Sequence, residues 1–529
     1  MQEIELKFLI PESRLKGMMR QVKVKSSQTT PMAAHYYDTP EQTLSKQGIG
    51  LRIRQEGENW VQTIKAGGDG IAARLEHNIP LDNEQVQAML EANALMPDLT
   101  LYQDTSIAPL LADLKLKKLA KKLTCLYVTD VQRTTRLLKE VGNKEDNPNG
   151  NNSIEIAYDD GQIIHGSDDT QCLPIQEIEF ELLSGNLDYF FATATVWCKR
   201  YTLCLSTVTK AERGGLLIKE QDYSPAVSAN LAQLTTNKDN SMPTFIRAVV
   251  HNCLLQILPN SSAIAAGSVN NDHVLQLRVG IRRLRCALKA FGTFSDQLNP
   301  EWLPILKQTA TSLGDYRTLA QLASHIQPAL EQQGAPYVDW TIEIDSLTVT
   351  PIIAIRDNDF QLMLLELIAF TMSDTSLEPQ ADTLASDKLA TLLSKQYTKL
   401  LKANEQYAYL VKEKSDNNAD AESPDDTLTR YETEHTLRRQ LKNMRYMSEF
   451  AAPLYATKKS NRWLKRLVKA QNSLGQSIDD SQYQQHYQHK SLTDTNALYG
   501  AGWFAATLQT DNKHWQKHLA KVKACKTFW

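Results

Sequence analysis

The feature of this sequence that most restricts its fold is a strict alternation of charged and apolar residues in its first half. The chain opens with EIELKFL, in which Glu3, Glu5 and Lys7 stand at every second position with apolar residues between them. Because successive side chains of a β-strand point to opposite faces, the three charges share one face and hydrocarbon covers the other. The opening segment is therefore predicted to be a strand with one fully charged face.

The same alternation recurs in other segments of the first half. The charges that share a face are Arg52 and Arg54 in LRIR, Glu155 and Asp159 in IEIAYDDG, and Glu177, Glu179 and Glu181 in QEIEFELL, while Lys65 ends WVQTIK. Amphipathic strands with their charges in water are the alternative interpretation, but solvated faces usually mix charge with Ser, Thr and Asn. Neighbouring carboxylates also repel one another unless cations lie between them. A closed barrel with a polar interior and an apolar outer face accounts for all these strands together.

The second half has a different periodicity, and it predicts a second domain. From about residue 244, apolar residues recur at three- and four-residue spacing, which is typical of helices. We expect domains at residues 1–213 and 243–529, joined by a linker at 214–242.

Within the first domain, strands are predicted at 2–10, 51–55, 60–66, 154–159 and 175–183, and short helices near 12–23, 83–95 and 186–200. Segment 141–153 is predicted to be a polar turn, and 413–427 a mobile acidic loop.

Composition narrows the class of protein. The chain of 529 residues has a net charge of -3, which predicts no general affinity for nucleic acid or membrane. We expect no signal peptide and no membrane span, because the first residues are strand-like and no apolar run is long enough. The seven cysteines show no metal-binding spacing. Reduced thiols in a cytoplasmic protein are the expected state.

An interior lined by both signs of charge suits one class of ligand. Carboxylates bind Mg²⁺ or Mn²⁺, which are hard cations that prefer oxygen ligands. Arginine and lysine bind phosphate oxygens. A phosphate chain bridged to a divalent metal would satisfy both sets, and phosphoryl transfer needs such positioning and charge neutralisation.

The motifs of the first ~210 residues, in their order along the chain, resemble those of the CYTH, or triphosphate tunnel metalloenzyme, family. The matching pieces are EIELK, YYDT at 36–39, LRIR, TIK at 63–65, Arg74 with Glu76, DVQRT with Arg133, IEIAYDDG with Asp159, EIEFEL, and TKAERG with Lys210. The resemblance implies an eight-stranded antiparallel β tunnel with flanking helices, and hydrolysis of a triphosphate with Mg²⁺ or Mn²⁺. The fold class is therefore α+β, in several domains.

The resemblance also implies residue roles. The metal ligands would be Glu3, Glu5, Asp159, Glu177, Glu179 and Glu181, of which Glu181 is either a ligand or a hydrogen-bond partner. The substrate would be held by Lys7, Arg52, Arg54, Lys65, Arg74, Arg133 and Lys210. The catalytic set would be Glu3, Glu5, Lys7, Arg52, Arg54, Lys65 and Arg133. Arg74 and Glu76 could instead form a structural ion pair. Arg136 lies three residues from Arg133 and is predicted to point to the other face.

Inorganic tripolyphosphate is the leading substrate, cleaved to pyrophosphate and phosphate. The family also includes thiamine triphosphatases and class IV adenylate cyclases, but no aromatic cluster at the motif positions is expected to stack on an organic group. A polyphosphate-binding protein with an idle tunnel is a further alternative. Without metal and phosphate, the carboxylates of Glu3 and Glu5 are expected to be the most electrostatically strained groups in the domain.

The helical half carries two basic stripes. They consist of Arg278, Arg282, Arg285 and Lys289, and of His435, Arg438, Lys442 and Arg445, each within a sector of roughly 80° on its helix. Arg278 and Arg438 are 160 residues apart, and the downstream LGDYRT and LGQSID are 161 apart, which predicts two four-helix repeats at about 243–340 and 355–520. The alternative interpretation of the stripes is that their basic residues face solvent and have only a structural role. The stripes contain no Glu partner at i,i+4, and they lack the interleaved aromatics that nucleic-acid binding favours, so a linear polyanion without bases is the expected ligand.

Residues of about 245–520 resemble the CHAD domain, a helical family linked to polyphosphate binding. HTLRRQLKNMRYMSEF fits its H-x-x-R-x-x-x-K-x-x-R-Y pattern, whereas Leu275 stands at the position equivalent to His435 and Thr318 where the family has Asp. The two stripes are therefore predicted to bind inorganic polyphosphate. No metal is predicted in this domain: His273 and His435 are expected to be phosphate contacts or core residues, and His251 is expected to be in the core.

Overall fold

The computed structural model of the chain describes residues 2–67, 73–140, 152–416, 424–511 and 514–529. The strands are β1 (Gln2–Leu9), β2 (Gln28–Asp38), β3 (Ile49–Glu56), β4 (Asn59–Gly67), β5 (Ala73–Leu81), β6 (Thr124–Lys139), β7 (Ser153–His165), β8 (Asp168–Ser184) and β9 (Cys204–Ser206). The helices are α1 (Glu12–Val22), α2 (Asn83–Glu91), α3 (Ala108–Leu111), α4 (Leu116–Ala120), α5 (Leu187–Tyr201), α6 (Lys210–Ile218), α7 (Met242–Ala265), α8 (Asn271–Phe291), α9 (Trp302–Gln321), α10 (Gln327–Glu331), α11 (Thr341–Asp345), α12 (Pro351–Arg356), α13 (Asn358–Met372), α14 (Ala385–Asp416), α15 (Pro424–Ala451), α16 (Thr457–Lys490), α17 (Ala497–Asp511) and α18 (His514–Lys523).

The first eight strands form a ring of antiparallel pairs. Their order is β5-β4-β3-β2-β6-β7-β8-β1, and β1 also pairs with β5, with Gln2 opposite Leu75 and Ile4 opposite Ala73. The short β9 pairs with β1 through Lys7, Phe8 and Leu9. The predicted fold class is thus confirmed, and β9 is an addition that the charge alternation did not predict.

The apolar faces of the strands pack outward against helices. Phe8 of β1 meets Phe180 of β8 edge-on at 5.6 Å between ring centroids, and Phe180 meets Trp197 of α5 in the same way at 5.6 Å. On another part of the ring, Leu51 and Ile64 lie in a buried cluster with the residues that follow β5. Because the hydrocarbon faces are buried outside the ring, the charged faces are left for its interior.

The chain divides into two compact units. One comprises Met1–Ser228, Leu254–Leu277 and Pro351–Ser373, and the other comprises Ala229–Cys253, Arg278–Thr350 and Asp374–Trp529. In the first unit, Gln361 of α13 accepts a hydrogen bond from the backbone N–H of Leu205 in β9, at 2.8 Å. Helices beyond residue 243 therefore contribute to both units. The boundaries 1–213, 214–242 and 243–529 remain predictions, and α6 extends into the predicted linker as far as Ile218.

The sequence repeat coincides with equivalent helices. Arg278 and Arg438 lie in α8 and α15, and the LG pairs at Leu313 and Leu474 lie in α9 and α16. The predicted acidic loop at 413–427 is helical at both ends, because α14 runs to Asp416 and α15 begins at Pro424. Residues 417–423, and residues 141–151 of the predicted turn, lie outside the described residues. None of the described helices is long and apolar enough to cross a membrane.

Candidate active site and basic cluster

The ring encloses a cavity of 1010 Å³ whose wall is rich in charge. Its charged lining includes Glu5, Lys7, Arg52, Arg54, Lys65, Glu76, Arg133, Glu155, Asp159, Glu179, Glu181 and Lys210. The alternating charges thus point into the barrel. The side chains of Glu3 and Arg74 lie outside the part of the chain that the structure describes, although their backbones pair with each other across β1 and β5.

Three carboxylates of β7 and β8 form a tight cluster on one wall. One oxygen each of Asp159, Glu177 and Glu179 lies within 4.8 Å of the others. The side chains of Asp159 and Glu177 are 0% and 1% exposed. Carboxylate oxygens only accept hydrogen bonds and bind hard divalent cations, so this cluster has the donor set of a Mg²⁺ or Mn²⁺ site.

The cluster already holds a cationic group of the chain itself. The ammonium nitrogen of Lys210, the first residue of α6, lies 2.7 Å from Asp159 Oδ2 and 2.8 Å from Glu179 Oε1, and it also contacts Glu177. Lys7 of β1 lies 3.0 Å from Glu177 Oε1 and 3.1 Å from Glu179 Oε1. Buried ammonium groups therefore neutralise part of the carboxylate charge.

Arg133 of β6 completes this ion-pair network. Its Nε and one terminal nitrogen each donate to Asp159 at 2.7 Å, and that terminal nitrogen also donates to Glu179 at 2.5 Å. Bidentate Arg–carboxylate pairs are among the strongest charge-assisted hydrogen bonds. The geometry brings together six residues that the sequence predicted for the metal and the substrate: Lys7, Arg133, Asp159, Glu177, Glu179 and Lys210.

The ion-pair network decides the protonation of these carboxylates. Burial acts to raise the pKa of Asp159, Glu177 and Glu179, but the charge of Lys210, aided by Arg133 or Lys7, outweighs burial and lowers each pKa. For Lys210 and Arg133 the effects are reversed: burial acts to lower each pKa, but the neighbouring carboxylates outweigh burial and raise each pKa well above its ordinary value. The three acids are thus ionised and compensated.

A second row of carboxylates crosses three strands. Glu5 of β1 lies opposite Glu181 of β8, which lies opposite Glu155 of β7. Burial raises the pKa of Glu181, and the charges of Glu155 and Glu5 raise it further, while Lys65 opposes them. The strain predicted for Glu3 and Glu5 stays a prediction, because the side chain of Glu3 lies outside the described residues; within this row, the raised pKa is at Glu181.

Glu155 is an acid of the cavity wall that the choice of site residues missed. It faces the cavity beside Glu181, and the spacing in IEIAYDDG already placed it on the same face as Asp159. Its position in the row depends on strand register, which the spacing within one strand does not define.

Arginines of β3 form another part of the wall. Arg52 lies 3.6 Å from Glu76 Oε1, and Lys65 of β4 lies 2.5 Å from Glu76 Oε2, while Arg54 pairs with Glu56. The Nε atoms of Arg52 and Arg54 are buried and have no hydrogen-bond acceptor among the described residues. Burial and the neighbouring charge of Arg52 lower the pKa of Arg54 to about 10. These guanidinium groups therefore have donor capacity left for an anion in the cavity.

A stacked tyrosine pair connects the β3 arginines to α6. Tyr36 and Tyr127 stack at 4.8 Å between centroids with 19° between their planes, and Arg52 donates to the Tyr36 hydroxyl at 3.4 Å. The Tyr127 hydroxyl donates to the Ala211 carbonyl at 2.9 Å. A Cβ at Gly214 of α6 would lie 2.2 Å from the Tyr127 ring, so glycine is needed for this contact. The absence of an aromatic cluster at the motif positions that stacks on an organic group stays a prediction: Tyr36 belongs to YYDT, whereas Tyr127 lies outside the motif pieces.

Asp38 of the YYDT motif and Arg136, which follows the DVQRT motif, have structural contacts. Arg136 donates to the Gln21 carbonyl of α1 at 2.6 Å, so it points away from the cavity as the alternation predicts. Asp38 of YYDT accepts from the backbone N–H groups of Leu44 and Ser45, each at 2.9 Å. Asp38 therefore orders the turn that precedes β3.

In the second unit, the two basic stripes contribute to one cluster. Arg278 and Arg282 of α8 act electrostatically on Arg438 and Lys442 of α15, and Arg317 of α9 joins them. Cys286 of α8 lies 3.7 Å from the Asn443 carbonyl, which fixes the contact of the two helices. The pKa of Arg278 is lowered to about 9, first by burial and then by Arg282 and Arg317. We name these five side chains the basic cluster. Arg317 was not predicted, because α9 carries no stripe.

A glycine of each repeat accommodates an arginine of the cluster. A Cβ at Gly314 would lie 2.8 Å from a terminal nitrogen of Arg278, and one at Gly475 would lie 3.5 Å from that of Arg438. Arg438 donates to Asp479 at 2.9 Å, whereas the equivalent position of the first repeat is Thr318. The Nε atoms of Arg278 and Arg438 are buried without an acceptor among the described residues.

The remaining members of the stripes lie in other surroundings. Lys289 is exposed, and Arg285 is half-buried with its pKa lowered by burial and by Arg282. Arg445 donates to Glu449 at 2.6 Å. The expectation that the stripes lack an i,i+4 acid is therefore wrong at this position, because Glu449 lies one turn after Arg445.

The predicted histidines differ in environment. His273 is buried, with Nδ1 2.7 Å from the Ser268 hydroxyl and Nε2 2.9 Å from the Ser224 carbonyl, so it is a core residue. His251 is half-buried in α7, and burial lowers its pKa. Burial, followed by Arg438 and Lys442, lowers the pKa of His435, which places it beside the basic cluster.

Comparisons with known proteins agree with both resemblances. Residues 1–214 match the family model described as CYTH domain, and residues 248–488 match the model described as CHAD domain. A protein of Haemophilus influenzae described as an inorganic triphosphatase is 31% identical over 227 residues, which cover 42% of this chain and 56% of that protein. The chain thus matches little more than half the length of this relative.

Solved structures resemble parts of the chain. The CHAD domain of the plant Ricinus communis is 20% identical with a TM-score of 0.45, covering 58% of this chain and 99% of that one. A Hippeastrum protein, described as a candidate adenylyl cyclase with a dominant triphosphatase activity, is 15% identical with a TM-score of 0.28. It covers 41% of this chain and 96% of that one.

Proposed function

We propose that this chain, which is a CYTH domain followed by a CHAD domain, hydrolyses inorganic triphosphate in its barrel and binds polyphosphate on its helical unit. The observation that carries the first part is the barrel interior, in which buried cations line one cavity together with Asp159 and Glu179 of the three-carboxylate cluster. A polyphosphate-binding protein would need the cations but not the carboxylates. The described relative from Haemophilus influenzae supports a triphosphatase reaction.

The carboxylate cluster fits a divalent cation. The ammonium group of Lys210 is already surrounded by oxygens of Asp159, Glu177 and Glu179, so it marks a position where a cation is stabilised. We assign Mg²⁺ or Mn²⁺ to this cluster, with Glu3, Glu5 and Glu181 as further ligands. When bound, the metal would neutralise charge on phosphate oxygens and activate water.

The cationic side chains bind and orient the substrate. Arg52 and Arg54 approach from β3, and Lys7 and Arg133 approach from β1 and β6, so a phosphate chain in the cavity has donors on more than one side. Water attacks the terminal phosphorus, the bond to the bridging oxygen breaks, and pyrophosphate leaves. Arginine and lysine stabilise the charge that develops on the departing oxygen. Lys65, Arg74 and Lys210 complete the proposed clamp.

The test is a substrate panel with purified protein. Tripolyphosphate, ATP, thiamine triphosphate and long-chain polyphosphate are each incubated with Mg²⁺ or Mn²⁺, and phosphate release is measured. Tripolyphosphate is expected to be cleaved fastest, and Glu5→Gln is expected to abolish the release. If tripolyphosphate remains intact with either metal, the proposal is wrong.

An organic triphosphate is the second candidate. Tyr36 and Tyr127 line the same cavity, and an aromatic pair offers apolar surface to an organic group. However, α6 covers the Tyr127 ring at Gly214, so less of the surface of this tyrosine pair is available to an organic group. Faster turnover of ATP or thiamine triphosphate in the panel identifies this alternative.

For the helical unit, we propose that the stripes bind inorganic polyphosphate. The buried Nε atoms of Arg278, Arg285 and Arg438 have no acceptor among the described residues, and phosphate oxygens would supply one. Reversing the charge of Arg438, Lys442 and Arg445 together is expected to abolish polyphosphate binding while tripolyphosphate hydrolysis stays nearly intact. Unchanged binding by this triple variant contradicts the assignment.

A further inference from the structure

Lys442 is the one member of the basic cluster that can lose its charge near neutral pH. The other four members, Arg278, Arg282, Arg317 and Arg438, carry guanidinium groups, which stay protonated in proteins. Lys442 has no carboxylate within ion-pair distance among the described residues, and the nearby Asp479 is paired with Arg438. A charged Lys442 is therefore repelled by the arginines of the cluster and has no carboxylate of its own among the described residues to offset that repulsion.

The groups that surround Lys442 provide little negative charge to balance the positive charge of its amine. Arg278 and Arg282 act on it from α8, Arg438 from its own helix, and Asp479 from α16. His435, about two turns before Lys442 on the same face of α15, is affected by Lys442 in turn. Beyond these, Asp315 and Arg317 of α9 act on Arg278. On the other side, α14 meets α15 through an uncharged contact in which Gln396 donates to Gln440.

The pKa of the Lys442 amine reflects this environment. Burial lowers it first, and the charges of Arg282 and Arg438 lower it further, to about 6. At neutral pH the amine of the free protein is therefore mostly uncharged. An anion among the guanidinium groups would reverse the local potential, and the same amine would then gain a proton.

We infer that a phosphate chain bound at the basic cluster brings a proton to Lys442, so that binding and proton uptake are coupled. This inference rests on the proposed polyphosphate binding of the helical unit, and it adds how that binding is regulated. By linkage, a complex that holds one more proton than the free protein becomes weaker as pH rises. The affinity is expected to fall by about tenfold per pH unit between pH 7 and the pKa of Lys442 in the complex.

The experiment is calorimetric titration of the full chain with long-chain inorganic polyphosphate in EDTA, at pH 8, in two buffers of different ionisation enthalpy. Interior phosphates of a long chain do not titrate in this range, and His435, which also lies beside the cluster, is present unchanged in both Lys442 variants, so its share of the uptake is measured there. Wild type is expected to take up close to one proton for each bound site. Lys442→Met and Lys442→Arg are each expected to bind polyphosphate with little proton uptake. The methionine side chain cannot take up a proton, and the arginine side chain already holds its proton before binding.

The matched control is Lys465→Met, which changes an exposed lysine of α16 and is expected to keep the wild-type proton uptake. If wild type binds polyphosphate with equal heats in both buffers, the coupling is wrong while the binding proposal stands. The coupling is equally wrong if Lys442→Met takes up as many protons as wild type. If wild type binds no polyphosphate, the binding proposal itself fails.

Discussion

The ammonium nitrogen of Lys210 lies 2.7 Å from Oδ2 of Asp159, deep in the barrel. Lys210 is the first residue of α6, whereas Asp159 lies in β7, so a helix that lines the cavity together with the strands delivers the cation that neutralises the carboxylate cluster. The ammonium group and a divalent metal would therefore compete for the same oxygens. This competition links the stability of the metal-free barrel to its metal affinity.

We expect Lys210→Met to destabilise the metal-free protein, by about 3 kcal/mol, because three buried carboxylates lose a shared cation. Mg²⁺ or Mn²⁺ is expected to recover much of that loss, since the variant no longer competes with the metal. The measurement is urea unfolding in EDTA and in each metal. Lys16→Met, at an exposed position of α1, is the control and is expected to behave as wild type. Equal stability of Lys210→Met and wild type in EDTA contradicts the role of Lys210.

The same cluster predicts how the metal-free barrel responds to acid. The cations hold the pKa of Asp159, Glu177 and Glu179 below the value of the unfolded chain. Carboxyls of this kind stabilise the fold above the unfolded pKa, and that stabilisation is lost as pH falls through the folded pKa. The difference in free energy of unfolding between wild type and Asp159→Asn in EDTA is therefore expected to stay level from pH 7 to about 5 and to decline below about 4, because the histidines of lowered pKa titrate alike in both proteins. A decline of this difference already near pH 6 is not compatible with compensated carboxylates.

Gly214 and its neighbour Gly215 offer a matched pair of substitutions in α6. Gly214→Ala would place a methyl group 2.2 Å from the Tyr127 ring, whereas at Gly215 the nearest atom is 3.9 Å away. Gly214→Ala is expected to displace α6, cost about 1–3 kcal/mol of stability and reduce tripolyphosphate turnover through Lys210. Gly215→Ala is expected to change neither. Comparing unfolding and phosphate release for the two variants tests whether the close contact of α6 with β6 positions Lys210.

The repeat provides a second matched pair in the helical unit. A methyl group at Gly314 would press on Arg278 at 2.8 Å, whereas at Gly475 it would lie 3.5 Å from Arg438. Because the obstructing atom ends a flexible side chain, Gly314→Ala is expected to leave stability within about 0.5 kcal/mol and to weaken polyphosphate binding several-fold by moving Arg278. Gly475→Ala is expected to bind as wild type does. Equal affinities of both variants indicate that Arg278 does not bind the ligand.

Much of the barrel wall could be predicted from the sequence, because side-chain direction along a strand is a local property. The alternation placed Glu179 and Glu181 toward the interior, the family resemblance added Arg133, and alternation from Arg133 placed Arg136 on the other face. The pairing of charges could not be predicted in this way, since it depends on register between strands and on α6. For this reason the compensation of Asp159 by Lys210, and the row formed by Glu5, Glu181 and Glu155, became apparent only in three dimensions.

The helical unit shows the same limit. Spacing on one helix predicted both basic stripes, and the repeat predicted equivalent positions for Arg278 and Arg438. Arg317 was missed because it approaches from α9, where no stripe marks it. The pairing of Arg445 with Glu449 was also missed, although both residues stand in one segment. The extent of burial, which controls the charge of Lys442, follows from the packing of several helices.

If the charges facing into the barrel carry out triphosphate hydrolysis, removing one of them must reduce phosphate release far more than removing an arginine of the outer face. Phosphate release from tripolyphosphate with Mg²⁺ or Mn²⁺ is compared for wild type, Arg52→Met and Arg136→Met. Arg52 faces the cavity, whereas Arg136 contacts α1 on the outside. We predict rapid release by wild type and Arg136→Met, and a loss of at least about 100-fold for Arg52→Met. No release by wild type, or an equal loss in both variants, would contradict the account.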